Sequence, residues 1–188
     1  CTLNEATYVP PPVEQMHSSL GALEEYAHAT DNLPPLVRIA LIHYQFEAIH
    51  PFLDGNGRIG RLLISLLLVH WGLLPLPLLY LSAYFEAHRR EYYDLLMAIG
   101  ERGAWHEWLM YFLRGVAEQA GDANARAKRL QDLQVDYRKR LMETRASTLP
   151  LKLMESLFEV PVITVPEAQR VLNTNFPTAQ RNIDKLVK

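Results

Sequence analysis

The sequence predicts an all-α fold: a helical bundle, then a connecting helix, then a small helix-turn-helix module. Three observations predict it. Apolar residues recur three and four apart in one segment after another. Proline and turn residues punctuate the ends of those segments. The 188 residues, 49% of them hydrophobic, suffice for one medium domain with its own core plus a small appendage.

Val9-Pro10-Pro11-Pro12 is an extended, helix-excluding entry. From Val13 a helix is predicted, with Met16, Leu20, Leu23 and Ala27 at helical spacing. Ala29–Pro35 is turn chemistry and ends it. Leu36–Ala48 predicts a second helix, striped by Ile39, Ile42, Phe46 and Ile49. Pro51 excludes helix at the residue before it, so His50–Gly57 is a tight loop. Arg58–Trp71 is a third helix, apolar nearly all round, and such a helix belongs in the centre of a bundle. Gly72 is placed to cap it. Ala83–Ile99 and Ala104–Ala120 predict two more helices, with Trp71, Trp105 and Trp108 packed in the core. Ala125–Thr144 is rich in Arg, Lys, Gln and Asp, with one narrow stripe of Leu130, Leu133, Tyr137 and Leu141. It predicts a long, partly exposed connecting helix. A trihelical unit follows: Leu151–Phe158, then Val165–Leu172 and Pro177–Val187, the last two opened by proline. The boundaries drawn are 1–116 for the helical core, 117–146 for the connector and 147–188 for the terminal module.

Net charge is −2, so the chain as a whole makes no electrostatic case for nucleic acid or an anionic membrane. Its one cysteine, Cys1, cannot form an intramolecular disulfide, and the fold needs no oxidising compartment. No signal segment opens the chain, from which a cytoplasmic location is expected. The first residue is not Met, as expected of a processed or truncated piece. Leu62–Leu81 is the most hydrophobic stretch. Arg58 and Arg61 precede it, and His70, Gly72, Pro75 and Pro77 interrupt it. That predicts a buried helix and a proline-broken loop, with no membrane span.

The informative stretch runs from His50 to Arg61. Gly55-Asn56-Gly57 can take up positive φ and lets a ligand approach the backbone closely. It lies just before a helix N-terminus, where N–H groups converge and the macrodipole favours an anion. Arg58 and Arg61 add positive charge to a first turn that usually prefers acids, which suits a docked polyanion. Asp54 fits beside phosphate when Mg²⁺ lies between them. His50, at the other lip, is the natural general base for a hydroxyl attacking phosphorus. Each feature alone is more often structural. Their coincidence within one loop supplies the parts phosphoryl-type transfer needs.

This segment resembles the Fic family signature, His-Pro-Phe-x-(Asp/Glu)-Gly-Asn-Gly-Arg-x-x-Arg, at every defined position. Tyr8–Pro12, Leu33–Leu36, His43–Ile49, Leu79–Ser82 and Glu91–Leu96 also look like segments of long bacterial Fic proteins. The likeness is strong over residues 8–116 and looser beyond. It implies a protein adenylyltransferase, which moves AMP from ATP onto a Tyr, Thr or Ser hydroxyl of a target protein. It further implies His50 as base, Asp54 on Mg²⁺, and Gly55, Asn56 and Gly57 as an anion hole. Arg58 and Arg61 would hold the phosphates, and Phe52 would anchor the loop in the core. The turn at Asp31–Leu36 falls where the family has a target-docking flap, and Tyr93 falls on the adenine side. The intact Gly-Asn-Gly-Arg favours AMP transfer over the kinase-like branch. The inhibitory (Ser/Thr)-x-x-x-Glu-(Gly/Asn) motif is not found; Ser82–Ala87 comes closest.

The tail resembles the winged-helix module of long Fic proteins, expected incomplete because wing strands would follow Lys188. Residues Ser147–Lys188 hold five basic and four acidic side chains, so DNA is a weakly supported partner. A homodimer is a further expectation. His43, Glu47 and His50 at i, i+4 and i+7 could share a helix face as metal ligands, but Pro51 breaks that geometry. Structural hydrogen bonding is expected of His43 and Glu47. Two alternatives stand beside AMP transfer. One is AMP removal by hydrolysis on the same site. The other is a nucleotide-binding, DNA-associated regulator without catalysis, which would not need the base at His50.

Overall fold

A computed structural model of the protein describes residues 8–143 and 147–187. Cys1, Lys188 and the end of the predicted connector at Thr144 lie outside the described residues. All regular elements among the described residues are α-helices. They are α1 (Val13–His28), α2 (Pro35–Ile49), α3 (Asn56–His70), α4 (Leu81–Ala87), α5 (Arg89–Arg102), α6 (Trp105–Glu143), α7 (Thr148–Glu159), α8 (Val165–Leu172) and α9 (Phe176–Val187). The chain divides into two compact units between Ala123 and Asn124, inside α6. None of these helices is long and apolar enough to cross a membrane.

In the first unit α2 is the central element and packs on α1 and α3. Its stripe of Ile39, Ile42, Phe46 and Ile49 is buried as predicted. The same core takes Ile64, Leu67 and Leu68 from α3, Tyr84 and Phe85 from α4, Tyr92 from α5, and Trp108, Tyr111 and Phe112 from α6. Burying each such side chain contributes about 1.5–3 kcal/mol. Trp108 Nε1 donates to the Ala40 carbonyl at 3.1 Å, so the indole is satisfied inside. Gly115 is required by close approach: a Cβ there would lie 2.5 Å from the Tyr84 ring.

Several predicted elements are corrected. α3 starts at Asn56, two residues early, because Gly55 at φ 86° turns the chain straight into the helix. α3 is not enclosed either. It buries Asn56, Gly60, Ile64, Leu67 and Leu68 but leaves Leu62 and Leu66 exposed. The segment read as one helix over Ala83–Ile99 is two, α4 and α5. His88, at φ −114°, sits on the Tyr84 carbonyl with both its N–H and its ring Nδ1 and breaks the run. Conversely, the helices read at Ala104–Ala120 and Ala125–Thr144 are one, because nothing between them stops the ladder. Of the tryptophans only Trp108 is fully buried; Trp105 is 40% exposed, and Trp71 lies under the Arg38 guanidinium at 4.7 Å.

In the second unit α7, α8 and α9 pack around Leu153, Ala168, Leu172 and Ala179. Thr164 and Glu167 form a reciprocal capping box at the start of α8, with Pro166 in its first turn. Asn173, at φ 49°, turns the chain from α8 toward α9.

Candidate active site

The site is the connection from α2 to α3. α2 ends because Pro51 cannot continue it, and His50 caps it in the left-handed region, φ 50° and ψ 56°. That region is uncommon for a residue with a Cβ, so the loop holds His50 there against its preference. The exposed ring turns back on its own helix: Nδ1 lies 3.3 Å from the Glu47 carbonyl oxygen. A carbonyl can only accept. In this contact Nδ1 carries the proton, which makes Nε2 the basic nitrogen of the ring.

The next residues are stapled by one side chain. Asn56 is buried; its Nδ2 donates to the Phe52 carbonyl at 2.6 Å, and its Oδ1 accepts the Phe52 N–H at 2.9 Å. The Asn56 side chain therefore holds the Phe52 backbone through both its Oδ1 and its Nδ2. Phe52, implied to anchor the loop in the core, is 47% exposed and leans on Phe46 at a ring distance of 6.4 Å. Asn56 also ties the loop to itself, and its backbone N–H lies at the start of α3.

At the helix start, no side chain caps α3. The first backbone bond of the helix runs from Ile59 N–H to the Gly55 carbonyl, so the N–H groups of Asn56, Gly57 and Arg58 precede the ladder. Asp54 lies beside them, almost fully exposed. Its carboxylate accepts the Gly55 N–H at 2.7 Å and the Arg58 guanidinium at 3.0 Å. So a negative group already rests on this corner. The Arg58–Asp54 pair is too exposed to contribute much stability. Gly57 is not in the left-handed region; it is helical and bare, with the Arg61 guanidinium 3.2 Å from where its Cβ would stand.

Beneath this turn is a buried polar group. Glu47 Oε1 is shut off from solvent and has no hydrogen-bond partner. It would lie 2.3 Å from a Cβ on Gly60 and 3.9 Å from one on Gly57. Burial pushes its carboxyl up to about 7, with the Arg61 charge pulling the other way. His43, one turn earlier, does find the expected bond: its Nε2 meets the Tyr92 hydroxyl at 2.9 Å. Its ring stacks between Phe85 and Trp108, and burial holds it neutral with a pKa of about 4. Burial likewise pushes the Tyr92 hydroxyl well up.

A recess of about 350 Å³ opens beside His50. Tyr8, Tyr44, Tyr93, Leu96 and Met97 make it largely apolar, with Glu47 and Glu101 also on its wall. Tyr93 and His50 thus share one cavity, while Asp54, Arg58 and Arg61 belong to the adjoining helix start. The sequence singled out Tyr93 but none of its neighbours. The spacing Tyr93, Leu96, Met97, Gly100 is one face of α5 and could have shown them. The Asp31–Leu36 segment is apart from this recess. It is a tight turn, with Asp31 accepting the Leu33 N–H at 3.1 Å and the Tyr26 hydroxyl at 3.0 Å. No three His, Cys, Asp or Glu side chains among the described residues converge as a metal cage.

This loop geometry accompanies a sequence match to the Fic/DOC family model over residues 2–68. The chain is similar to Protein adenylyltransferase Fic of Nematostella vectensis, 34% identical over 91 residues, which is 47% of this chain and 20% of that protein. It is also similar to Protein adenylyltransferase fic-1 of Caenorhabditis elegans, 42% identical over 66 residues, 35% of this chain and 13% of that one. A probable protein adenylyltransferase of Aquifex aeolicus (strain VF5) is 32% identical over 84 residues, 45% of this chain and 26% of that one. The chain thus spans about a quarter or less of these curated relatives. Among solved structures, a Fic family protein from Desulfovibrio desulfuricans G20 shares the fold with a TM-score of 0.59. It is 22% identical and covers 92% of this chain, which covers 48% of it.

Proposed function

We propose that this Fic unit is a protein adenylyltransferase: it transfers AMP from ATP to a hydroxyl of a target protein. The observation that carries the reading is the pairing of a His50 Nε2 left free by the Nδ1 contact with an uncapped helix start 56–58 beside it. Nε2 takes the proton of the target hydroxyl, and that oxygen attacks the α-phosphorus. The bond from the α-phosphorus to the oxygen bridging it to the β-phosphate breaks, and pyrophosphate leaves with that oxygen. The N–H groups at the start of α3 and the Arg58 and Arg61 guanidinium groups take up the charge on the phosphate oxygens. The apolar recess with Tyr93 suits the adenosine end.

Asp54 fits Mg²⁺ carried by the nucleotide. It is a single exposed carboxylate, and one carboxylate plus phosphate oxygens is a donor set this ion accepts. Bound there, the ion would neutralise phosphate charge. Asp54 would then release Gly55 N–H and Arg58 to the nucleotide. A target docking at Asp31–Leu36 meets mainly carbonyl acceptors, since Pro34 and Pro35 have no N–H and Leu33 N–H is committed to Asp31.

The test is labelling of cell lysate with ATP carrying ³²P at the α or the γ position, beside His50→Ala. Label from α-³²P alone, lost in the variant while ATP still binds, is the expected result. Label from γ-³²P, or label that survives the variant, would discard the reading.

A further inference from the structure

Tyr8 reaches the active-site turn from the entry segment. Its hydroxyl donates to the Ala48 carbonyl in the last turn of α2, 40 positions further along the chain. Its ring lies 6.4 Å from the His50 ring, tilted by 58°. It also walls the recess that His50 and Tyr93 share. Pro10, Pro11 and Pro12 lead from Tyr8 to the start of α1, and Pro12 stands at φ −56° and ψ 151°. Proline fixes φ and favours extended backbone, so this segment is a stiff spacer.

The place of the Tyr8 bond gives it a task. The last carbonyls of a helix have no partner within it. At the end of α2 His50 takes two of them. Its backbone N–H donates to the Phe46 carbonyl at 3.1 Å, and its ring Nδ1 meets the Glu47 carbonyl at 3.3 Å. Tyr8 takes the next carbonyl, that of Ala48. The short stretch of backbone that bonds the imidazole is thus pinned from outside the helix, by a hydroxyl on a stiff tether. His50 has need of such support: its left-handed backbone is uncommon for a residue with a Cβ, and its ring is exposed. Asn56 secures the loop beyond His50 through the Phe52 backbone, and Tyr8 secures the turn before it.

We propose that Tyr8 is a positioning residue for His50: its hydroxyl fixes the last turn of α2 and its ring bounds the imidazole on the recess side, so that Nε2 stays aimed at the acceptor hydroxyl. This role rests on the transferase reading. The two parts of the side chain have separable effects. The hydroxyl serves the base alone, while the ring is also wall for the adenosine end. Loss of the hydroxyl therefore lowers the rate at saturating ATP and leaves the KM for ATP in place. Loss of the ring raises that KM as well.

The experiment compares the full chain with Tyr8→Phe and Tyr8→Ala, both checked as folded by tryptophan fluorescence in urea. The first measurement is the initial rate of label from α-³²P-ATP into one fixed preparation of cell lysate, over a range of ATP concentrations. Tyr8→Phe should lose roughly tenfold in the saturating rate with its KM for ATP unchanged. Tyr8→Ala should lose as much and also raise that KM about threefold or more. The second measurement is ¹H–¹⁵N NMR of the His50 imidazole in the free proteins. The Nδ1–H form of the wild type should give way to a mixture of tautomers in both variants. A Tyr8→Phe rate equal to that of the wild type would overturn the positioning role and leave the transferase reading intact. A change confined to KM would do the same and make Tyr8 a recess wall only. No label from the wild type overturns the transferase reading, and the imidazole spectrum then decides on Tyr8 alone: a His50 pattern unchanged in Tyr8→Phe contradicts the positioning role.

Discussion

Two turns of this molecule hold a non-glycine residue in the left-handed region, and they are the two such positions among the described residues. They are His50 after α2 and Asn173 after α8. Asn visits that region readily because its short amide bonds the nearby backbone; an imidazole has less reason to be there. The helices that follow differ more. In the second unit Asn175 Oδ1 accepts the Thr178 N–H at 3.0 Å at the start of α9, and α8 opens on the Thr164–Glu167 box. α3 opens with no side-chain cap. The second unit's turn is closed on itself and is a fold element. The first unit's turn is stapled by Asn56 yet leaves its helix start without a side-chain cap and His50 exposed. Donors left open in a rigid loop are what a ligand site needs.

The largest break of this comparison is His50→Ala. AMP transfer should fall on the order of 10²–10⁴-fold, the usual worth of a general base, in a labelling rate assay. Asn173→Ala should leave that rate unchanged and cost about 1–2 kcal/mol in the second unit, read by hydrogen exchange, because Ala is disfavoured in its backbone.

Glycines sharpen it next. Gly60→Ala forces a Cβ onto Glu47, His43 and Phe46 and should cost about 1–3 kcal/mol in urea unfolding. All three tryptophans lie in the first unit, so their fluorescence reports that unit. Glu47→Ala in the same chain should recover part of the loss. Gly121→Ala, with open space around it, should instead stabilise α6 by about 0.5–1 kcal/mol.

The staple and the cap form a matched pair. Asn56→Ala removes two hydrogen bonds and should cost about 2 kcal/mol in the first unit by the same fluorescence. Asn175→Ala removes one cap bond and should cost about 1 kcal/mol in the second, by hydrogen exchange.

The smallest effect is a pH trend. The Glu47 carboxyl is raised in the folded state, so its favourable neutral form is fully present below the unfolded value of about 4.3. That contribution is lost as pH rises to about 7. Glu47→Gln should therefore gain on the wild type from pH 5 to pH 8 in urea midpoints. His43 runs the other way. Its folded pKa is depressed to about 4, so stability falls as pH drops from about 6.5 toward that value.

Much of this was legible in the residues. Periodicity placed α1, α2, α8 and α9 because their apolar stripes and their prolines agree. It misjudged α3, because composition shows how apolar a helix is and not which face its neighbours cover. It split α6 on a change of composition that the backbone ladder ignores. It joined α4 to α5 because the break is a histidine competing for a carbonyl, with no Gly or Pro to announce it. The loop residues were visible as a set, while the bonding of the Asn56 side chain to the Phe52 backbone was not, because it depends on how the loop closes. Glu47 was read as an ordinary bonded polar group. Its lack of a partner depends on Gly60, thirteen positions away, and only the fold brings them together.

The central claim is that the α3 start, and not the closed α8–α9 turn, receives the nucleotide. ¹H–¹⁵N NMR of the chain with a non-hydrolysable Mg–ATP analogue tests it most directly. The account predicts the largest amide shifts at Gly55, Gly57 and Arg58, smaller ones at Tyr93 and Met97, and none at Asn175–Thr178. Unmoved Gly57 and Arg58 amides, or the largest shifts in the α8–α9 turn, would contradict it.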